Sequence, residues 1–165
     1  MIKTEFCLEV TAVPSGSAYV PDSLEPEIRA TAECASFSDM MKILIVDDST
    51  LERKLLSSLI KKNGITNDVL QAENGEVALQ VLASNFQDIC LIVLDWQMPV
   101  MSGIEFMQGV VKVPQVAQIP IVMVTASSSE ENKKQAQDVN PNLAAYVIKP
   151  YKPEDILNAI RPHLK

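Results

Sequence analysis

The sequence predicts an α/β protein, a doubly wound parallel sheet of five strands with five helices. The strongest observation is Ile89–Leu94, six apolar residues without polar alternation, which is typical of a strand buried on both faces. Four other short apolar runs alternate with segments of helical periodicity. Four of the five predicted strands also end in charged or hydroxyl residues. Because parallel strands end at a common edge, this pattern indicates a crevice for a ligand there.

The first two strand–helix units lie between residues 43 and 82. Strand Ile43–Val46 is followed by Ser49, a good N-cap, and by a helix that Gly64 ends. Strand Val69–Ala72 is followed by a helix that Asn74 caps. Apolar residues at helical spacing should face the sheet from both helices. They are Leu51, Leu55, Leu56, Leu59 and Ile60 in the first helix, and Val77, Ala78, Val81 and Leu82 in the second.

Three more units complete the predicted sheet. Their strands are Ile89–Asp95, Ile121–Val124 and Ala145–Ile148. The helices that follow start near Ser102, at Glu130 after the serines 127–129, and at Pro153. The helix Glu130–Val139 is polar on most of its surface, and we expect it to pack weakly.

Residues 1–41 differ from the rest of the chain in charge. They carry 2 basic and 7 acidic residues, whereas residues 42–165 carry 12 and 14. We predict an acidic leader of uncertain structure at 1–41, with a short strand at Phe6–Ala12 and two helical turns at Glu27–Ala35, and one compact domain at 42–165. The alternative is that Met41 starts the functional domain and that the leader belongs to another translation start or another module.

Composition excludes several classes of function. The domain is nearly neutral and has no basic stripe, so no nucleic-acid partner is expected. Cys7, Cys34 and Cys90 are odd in number and form no CxxC motif, which argues against a disulfide framework or a zinc site and fits a reducing cytoplasm. No run approaches the roughly 18 apolar residues of a membrane-spanning helix. We therefore expect a soluble cytoplasmic protein without a membrane partner.

The polar strand ends predict a shared site. Taken singly, Asp95 or Thr125 could cap a helix and Lys149 could form a surface ion pair. Taken together, Asp47, Asp48 and Asp95 need a cation, since two carboxylates at about 4 Å repel by roughly 4 kcal/mol at an effective dielectric of about 20. Oxygen ligands without Cys or His favour Mg²⁺. Thr125 and Lys149 suit the oxygens of a phosphoryl group, and Asp95 is the candidate nucleophile that would form an acyl phosphate.

These motifs resemble the receiver domain of bacterial two-component response regulators, of the chemotaxis-regulator type. The resemblance covers residues 42–165 and rests on Val46–Ser49, Leu94–Pro99 with Gly103, Val124–Ala126 and Tyr146–Pro150. It implies a flavodoxin-like fold with strand order 2-1-3-4-5. It also implies a phosphorylation switch, not an enzyme beyond its own phosphorylation and dephosphorylation. Because nothing follows Lys165 and the leader is short, we expect a single-domain regulator.

The resemblance assigns a role to each site residue. Asp95 would accept a phosphoryl group from a sensor histidine kinase or a histidine phosphotransfer protein. Mg²⁺, or Mn²⁺ in its place, would be held by Asp48, Asp95 and the backbone carbonyl of Gln97, with Asp47 acting largely through water. Thr125 and Lys149 would hold the phosphoryl oxygens. Tyr146 would turn inward as Thr125 moves, and the Lys149–Pro150 bond would be cis.

The partner of the switched face is left open by the sequence, as is the choice between a monomer and a phosphorylation-dependent dimer. Gln97 and Ser127 occupy the two variable positions that tune the lifetime of the acyl phosphate in this family. One alternative function is a phosphorylation-independent scaffold or adaptor with the same fold. An aspartyl phosphatase of the haloacid dehalogenase type is a second alternative, but it would need Asp where Gln97 stands. A flavodoxin-like carrier of flavin mononucleotide is a third, but the Asp47–Asp48 pair would repel the phosphate of the flavin.

Overall fold

The computed structural model describes residues 41–164 and contains one five-stranded parallel sheet in the order β2-β1-β3-β4-β5. The strands are β1 (Lys42–Val46), β2 (Asp68–Ala72), β3 (Ile89–Asp95), β4 (Ile121–Thr125) and β5 (Ala145–Ile148). The helices are α1 (Thr50–Lys62), α2 (Gly75–Asn85), α3 (Gly103–Val110), α4 (Glu130–Val139) and α5 (Pro153–Ile160), with a short 3₁₀ turn at Arg161–His163. The predicted fold class and strand order are confirmed. The elements predicted before Met41 lie outside the described residues.

Side-chain caps begin four of the helices where the sequence indicates them. Ser49, Asn74, Ser102 and Ser129 each accept a hydrogen bond from the backbone N–H three residues later. Glu105 returns the bond to the backbone of Ser102, which completes a capping box at α3. These caps fix the point at which each strand-to-helix loop ends, and the candidate site is built on those loops.

The core has two halves, one on each face of the sheet. All seven residues of β3 are buried, as the uninterrupted apolar run predicts. Successive strand residues alternate between the faces: Leu44, Val46, Ile92 and Leu94 face α2 and α3, and Ile43, Ile45, Leu91 and Val93 face α1 and α5. The strands are thereby held rigidly, and so are the residues at their carboxyl ends.

The predicted inner face of α1 is partly wrong. Leu51 and Leu55 are 66% and 53% exposed, whereas Leu56 and Ile60 are buried. The helix is rotated so that its buried stripe runs from Arg53 through Leu56 to Ile60, at the helical spacing of three and four residues. The two leucines lie on the flank of this stripe and face solvent.

The polar helix α4 packs as the sequence predicts, since Ala136 is its buried residue. The Lys149–Pro150 peptide bond is cis. Within residues 41–164, the structure contains no helix that is both long and apolar enough to cross a bilayer.

Candidate functional site

Four of the predicted site residues lie at the carboxyl edge of the sheet: Asp47, Asp95, Thr125 and Lys149. Asp95 pairs in register with Val124, and Thr125 pairs with Ile148. Asp95 and Thr125 therefore end the neighbouring strands β3 and β4, and Lys149 directly follows β5. The backbone N–H of Lys149 donates to the carbonyl of Thr125 at 2.7 Å. Asp47 follows β1, whose last residue Val46 pairs with Leu94. The topology thus places these side chains around one crevice.

The ammonium group of Lys149 bridges two buried carboxylates. Its Nζ lies 2.8 Å from Asp47 Oδ2 and 2.9 Å from Asp95 Oδ1. Asp47 and Asp95 are only 2% and 7% exposed, and the Lys149 side chain is 22% exposed. A single positive charge therefore only partly offsets two negative charges that are largely shielded from water, and the trio keeps a net negative charge.

Backbone N–H groups orient the second oxygen of each acid. Ser49 N–H donates to Asp47 Oδ1 at 2.8 Å, and Gln97 N–H donates to Asp95 Oδ2 at 3.0 Å. Each carboxylate is therefore held by one backbone donor and by Lys149. The two acids are fixed before any ligand arrives.

Burial and neighbouring charges shift the pKa values of Asp95 and Lys149. Burial raises the pKa of Asp95 above its usual range, and the nearby Asp47 charge adds to this, while the bond and the charge of Lys149 oppose it. Burial alone would lower the pKa of Lys149, but its hydrogen bonds to Asp47 and Asp95 outweigh that and raise it. Lys149 is consequently charged throughout the physiological range.

Thr125 and Tyr146 are connected through Ser127. The hydroxyl oxygen of Thr125, which is 1% exposed, accepts a hydrogen bond from Ser127 N–H at 3.1 Å. Tyr146 Oη donates to the Ser127 carbonyl at 3.2 Å. Ser127 Oγ in turn accepts from Asn132 Nδ2 of α4 at 2.8 Å. Hydrogen bonds through Ser127 therefore link Thr125 to Tyr146 of β5 and to Asn132 of α4.

The donor set suits Mg²⁺, although the three acids are not gathered in this conformation. In the part of the chain that the structure describes, no three Asp, Glu, His or Cys side chains form a group that could hold a metal ion. Asp48 is exposed, and Lys149 Nζ lies between Asp47 and Asp95. The chemistry nevertheless fits a hard cation, since the available ligands are carboxylate and carbonyl oxygens.

Two neighbouring residues shape the site. A Cβ added to Gly103 would lie 2.2 Å from the carbonyl oxygen of Asp95, so α3 can start this close to the site only from a glycine. Arg53 of α1 is buried and bonds to the Asp47 carbonyl. Sequence reasoning missed Arg53, although its spacing from Leu56 and Ile60 places it on the same helical stripe.

Comparison with known proteins identifies the family. Residues 43–161 match the family model of the response regulator receiver domain. The chain belongs to this family. The receiver domain is 33% identical over 114 residues to a chemotaxis protein CheY homolog of Campylobacter jejuni, covering 69% of this chain and 85% of that protein. It is 36% identical over 111 residues to the chemotaxis protein CheY of Pseudomonas aeruginosa, covering 67% and 86%.

Solved structures agree with the sequence comparison. The receiver domain resembles the chemotaxis protein CheY4 of Vibrio cholerae with a TM-score of 0.67 and 32% identity, over 76% of this chain and 99% of that one. A CheY-like receiver domain from Methanospirillum hungatei gives a TM-score of 0.65 and 26% identity, over 76% and 94%. Receiver domains are signalling switches rather than classical enzymes, and they generally bind Mg²⁺ at their acidic pocket.

Proposed function

We propose that this receiver domain accepts a phosphoryl group on Asp95 from a sensor histidine kinase or a histidine phosphotransfer protein, and that phosphorylation switches a protein-interaction face. The observation that carries the proposal is the bridge from Lys149 Nζ to Asp47 and Asp95 at 2.8 and 2.9 Å. A lysine fixed over a buried carboxylate at the mouth of a crevice suits a group that bears several negative charges.

In the transfer, the phosphoryl group passes from the partner's phosphohistidine to a carboxylate oxygen of Asp95. An oxygen of Asp95 bonds to phosphorus as the bond from phosphorus to the imidazole nitrogen breaks, and the electron pair of that bond stays on the imidazole. Mg²⁺, or Mn²⁺, held by Asp48, Asp95 and the Gln97 carbonyl, with Asp47 acting largely through water, would neutralise charge on the phosphoryl oxygens. Lys149 retains its positive charge and offers a second contact to those oxygens.

The switch would start at Thr125. Its hydroxyl oxygen accepts from Ser127, and its hydrogen can be donated to a phosphoryl oxygen. Drawing Thr125 towards Asp95 would pull on Ser127, to whose carbonyl Tyr146 is bonded. The face formed by α4, β5 and α5 would then change, because α4 is anchored by little buried surface.

The remaining parts of the proposal concern the setting of the switch. The domain catalyses only its own phosphorylation and dephosphorylation, in the cytoplasm, and acts through a downstream protein as a monomer or a phosphorylation-dependent dimer. Residues 1–41 precede it as an acidic leader, and residues 42–165 form the receiver domain. The described part of the chain offers Cys90 as a buried thiol, which fits a reducing compartment.

Intact-mass spectrometry tests the phosphoacceptor. The protein is incubated with acetyl phosphate and MgCl₂, and we expect one adduct of about 80 Da, the mass of a phosphoryl group. Asp95→Asn should abolish the adduct, whereas the control Asp138→Asn, at an exposed acid of α4, should retain it. A wild-type protein without the adduct, or an adduct that persists in Asp95→Asn, refutes the proposal, and the former result favours a phosphorylation-independent scaffold.

A further inference from the structure

Arg53 is the one basic side chain that is buried within residues 41–164, at 8% exposure. It lies in the first turns of α1, next to the loop in which Asp47 and Asp48 follow β1. A guanidinium group keeps its charge at any accessible pH, so its burial has a cost that its contacts must offset. We therefore expect the contacts of Arg53 to serve a function at the nearby site.

The guanidinium group bonds to uncharged oxygens from three elements of the fold. Nη1 donates to the backbone carbonyl of Asp47 at 2.5 Å, Nη2 donates to Thr50 Oγ1 at 3.1 Å, and Nε lies 3.4 Å from Gln71 Oε1 on β2. The short bond to Asp47 is therefore the principal one. It ties α1 to the loop that follows β1.

This bond fixes the peptide between the two adjacent acids. Asp47 N–H already donates to the Ala72 carbonyl at 3.2 Å, so the backbone is anchored on both sides of Asp47. Because the peptide unit is planar, holding the carbonyl of Asp47 also sets the direction of the N–H and Cα of Asp48. Asp48 is exposed, and within residues 41–164 its side chain forms no hydrogen bond or ion pair that would anchor it.

We propose that Arg53 is a positioning residue for the divalent-cation site, because it holds the Asp47–Asp48 peptide in the orientation that presents both carboxylates to one ion. The inference rests on the proposed function, which supplies the ion. The charge of Arg53 acts in the opposite direction, since a cation close to the site repels Mg²⁺. If positioning dominates, removing the Arg53 side chain weakens Mg²⁺ binding; if charge repulsion dominates, removing it strengthens Mg²⁺ binding. The direction of the change in Mg²⁺ affinity therefore separates the two effects.

Titration with MgCl₂ alone, followed by the fluorescence of Trp96, measures the affinity without phosphorylation. Trp96 is the only tryptophan of the chain and follows Asp95 directly. The variants are Arg53→Met, which removes the guanidinium group and its charge, and Arg53→Lys, which removes the guanidinium group but keeps a positive charge. The control is Lys54→Met, which removes the same charge from the next, exposed position of α1. Thermal unfolding without Mg²⁺ is recorded for each protein.

If Arg53 positions the acids, both Arg53 variants weaken Mg²⁺ binding by about 10-fold or more, and Lys54→Met does not. Gln71→Ala, which leaves the bond to Asp47 in place, should weaken it less and keeps the test valid if Arg53→Met fails to fold. Unchanged or tighter binding in Arg53→Lys and Arg53→Met overturns the inference, even if their thermal stability falls. A wild-type protein that binds no Mg²⁺ refutes the proposed function and the inference with it.

Discussion

Replacing Gly103 by alanine should damage the site and the fold together. The new Cβ would lie 2.2 Å from the Asp95 carbonyl oxygen, whereas real Cβ contacts essentially never fall below 3.0 Å, so the strand end or the helix must move by at least about 0.8 Å. The Gly103 N–H also donates to the Trp96 carbonyl at 3.0 Å, and that bond opposes the movement. The substitution thus strains the backbone that carries the phosphoacceptor.

The expected cost follows from this displacement. Forcing one extra carbon into a packed contact typically costs about 1–3 kcal/mol, which for a domain of about 120 residues lowers the midpoint of thermal unfolding by roughly 5 to 15 °C. A displacement of nearly 1 Å at a reacting group can slow its reaction by up to about 100-fold. We therefore expect a lower unfolding midpoint and a slower gain of the phosphoryl adduct.

The same helix supplies the control. A Cβ added to Gly109 would meet nothing closer than Leu79 Cδ2, at 3.8 Å, so Gly109→Ala creates no clash. Alanine is the better helix former by about 1 kcal/mol, and Gly109→Ala should be neutral or stabilising. Circular dichroism and intact-mass kinetics measure both effects. A Gly103→Ala protein that unfolds and reacts like the wild type would show that the Asp95 backbone does not need this close approach.

Three further perturbations test other parts of the structure. Val100 is a β-branched residue with φ of 69° and 77% exposure, so Val100→Asn should raise the unfolding free energy by about 1 kcal/mol, and a fall in the chemical denaturation midpoint would argue against strain there. Lys149→Met leaves two buried acids without their cation, which should cost about 3 kcal/mol of unfolding free energy at about pH 7. Because Asp95 without its cation should have a folded-state pKa above its unfolded value, the destabilisation applies above that pKa and should shrink as the pH falls to about 4; a cost independent of pH contradicts the charge argument. Burial first and then the charge of Glu52 raise the pKa of Tyr151 to about 12. The phenolate absorbance that Tyr151→Phe removes should therefore titrate near that pH, and this pKa should fall in Glu52→Gln. A titration of Tyr151 near the ordinary value of about 10 would contradict the effect of burial and of Glu52.

The sequence predicts the elements well because each has a local signal. The apolar run at β3, the caps at Ser49 and Ser102 and the turn at Gly64 are each readable within a few residues. The prediction that Leu51 faces the sheet is wrong because a period of 3.6 residues allows two overlapping stripes on α1. Only contacts with the sheet decide which of the two stripes is buried. Hydrophobicity alone favours the leucines over Arg53.

The site is less predictable because its contacts join distant parts of the chain. Lys149 meets Asp47 and Asp95 across 102 and 54 residues, and the strand ends predict only that these residues share an edge. That the ammonium group lies between Asp47 and Asp95 while Asp48 remains exposed depends on side-chain geometry. The contact of Arg53 is with a backbone carbonyl, which has no sequence signature at all.

The most direct test of the central claim is to locate the phosphoryl group chemically. After incubation with acetyl phosphate and MgCl₂, borohydride reduces an aspartyl phosphate to homoserine, and tandem mass spectrometry identifies the converted residue. We expect homoserine at position 95 and unmodified Asp47 and Asp48. Homoserine at position 47 or 48, or its absence from a protein shown to bind Mg²⁺, would contradict the assignment of Asp95 as the phosphoacceptor.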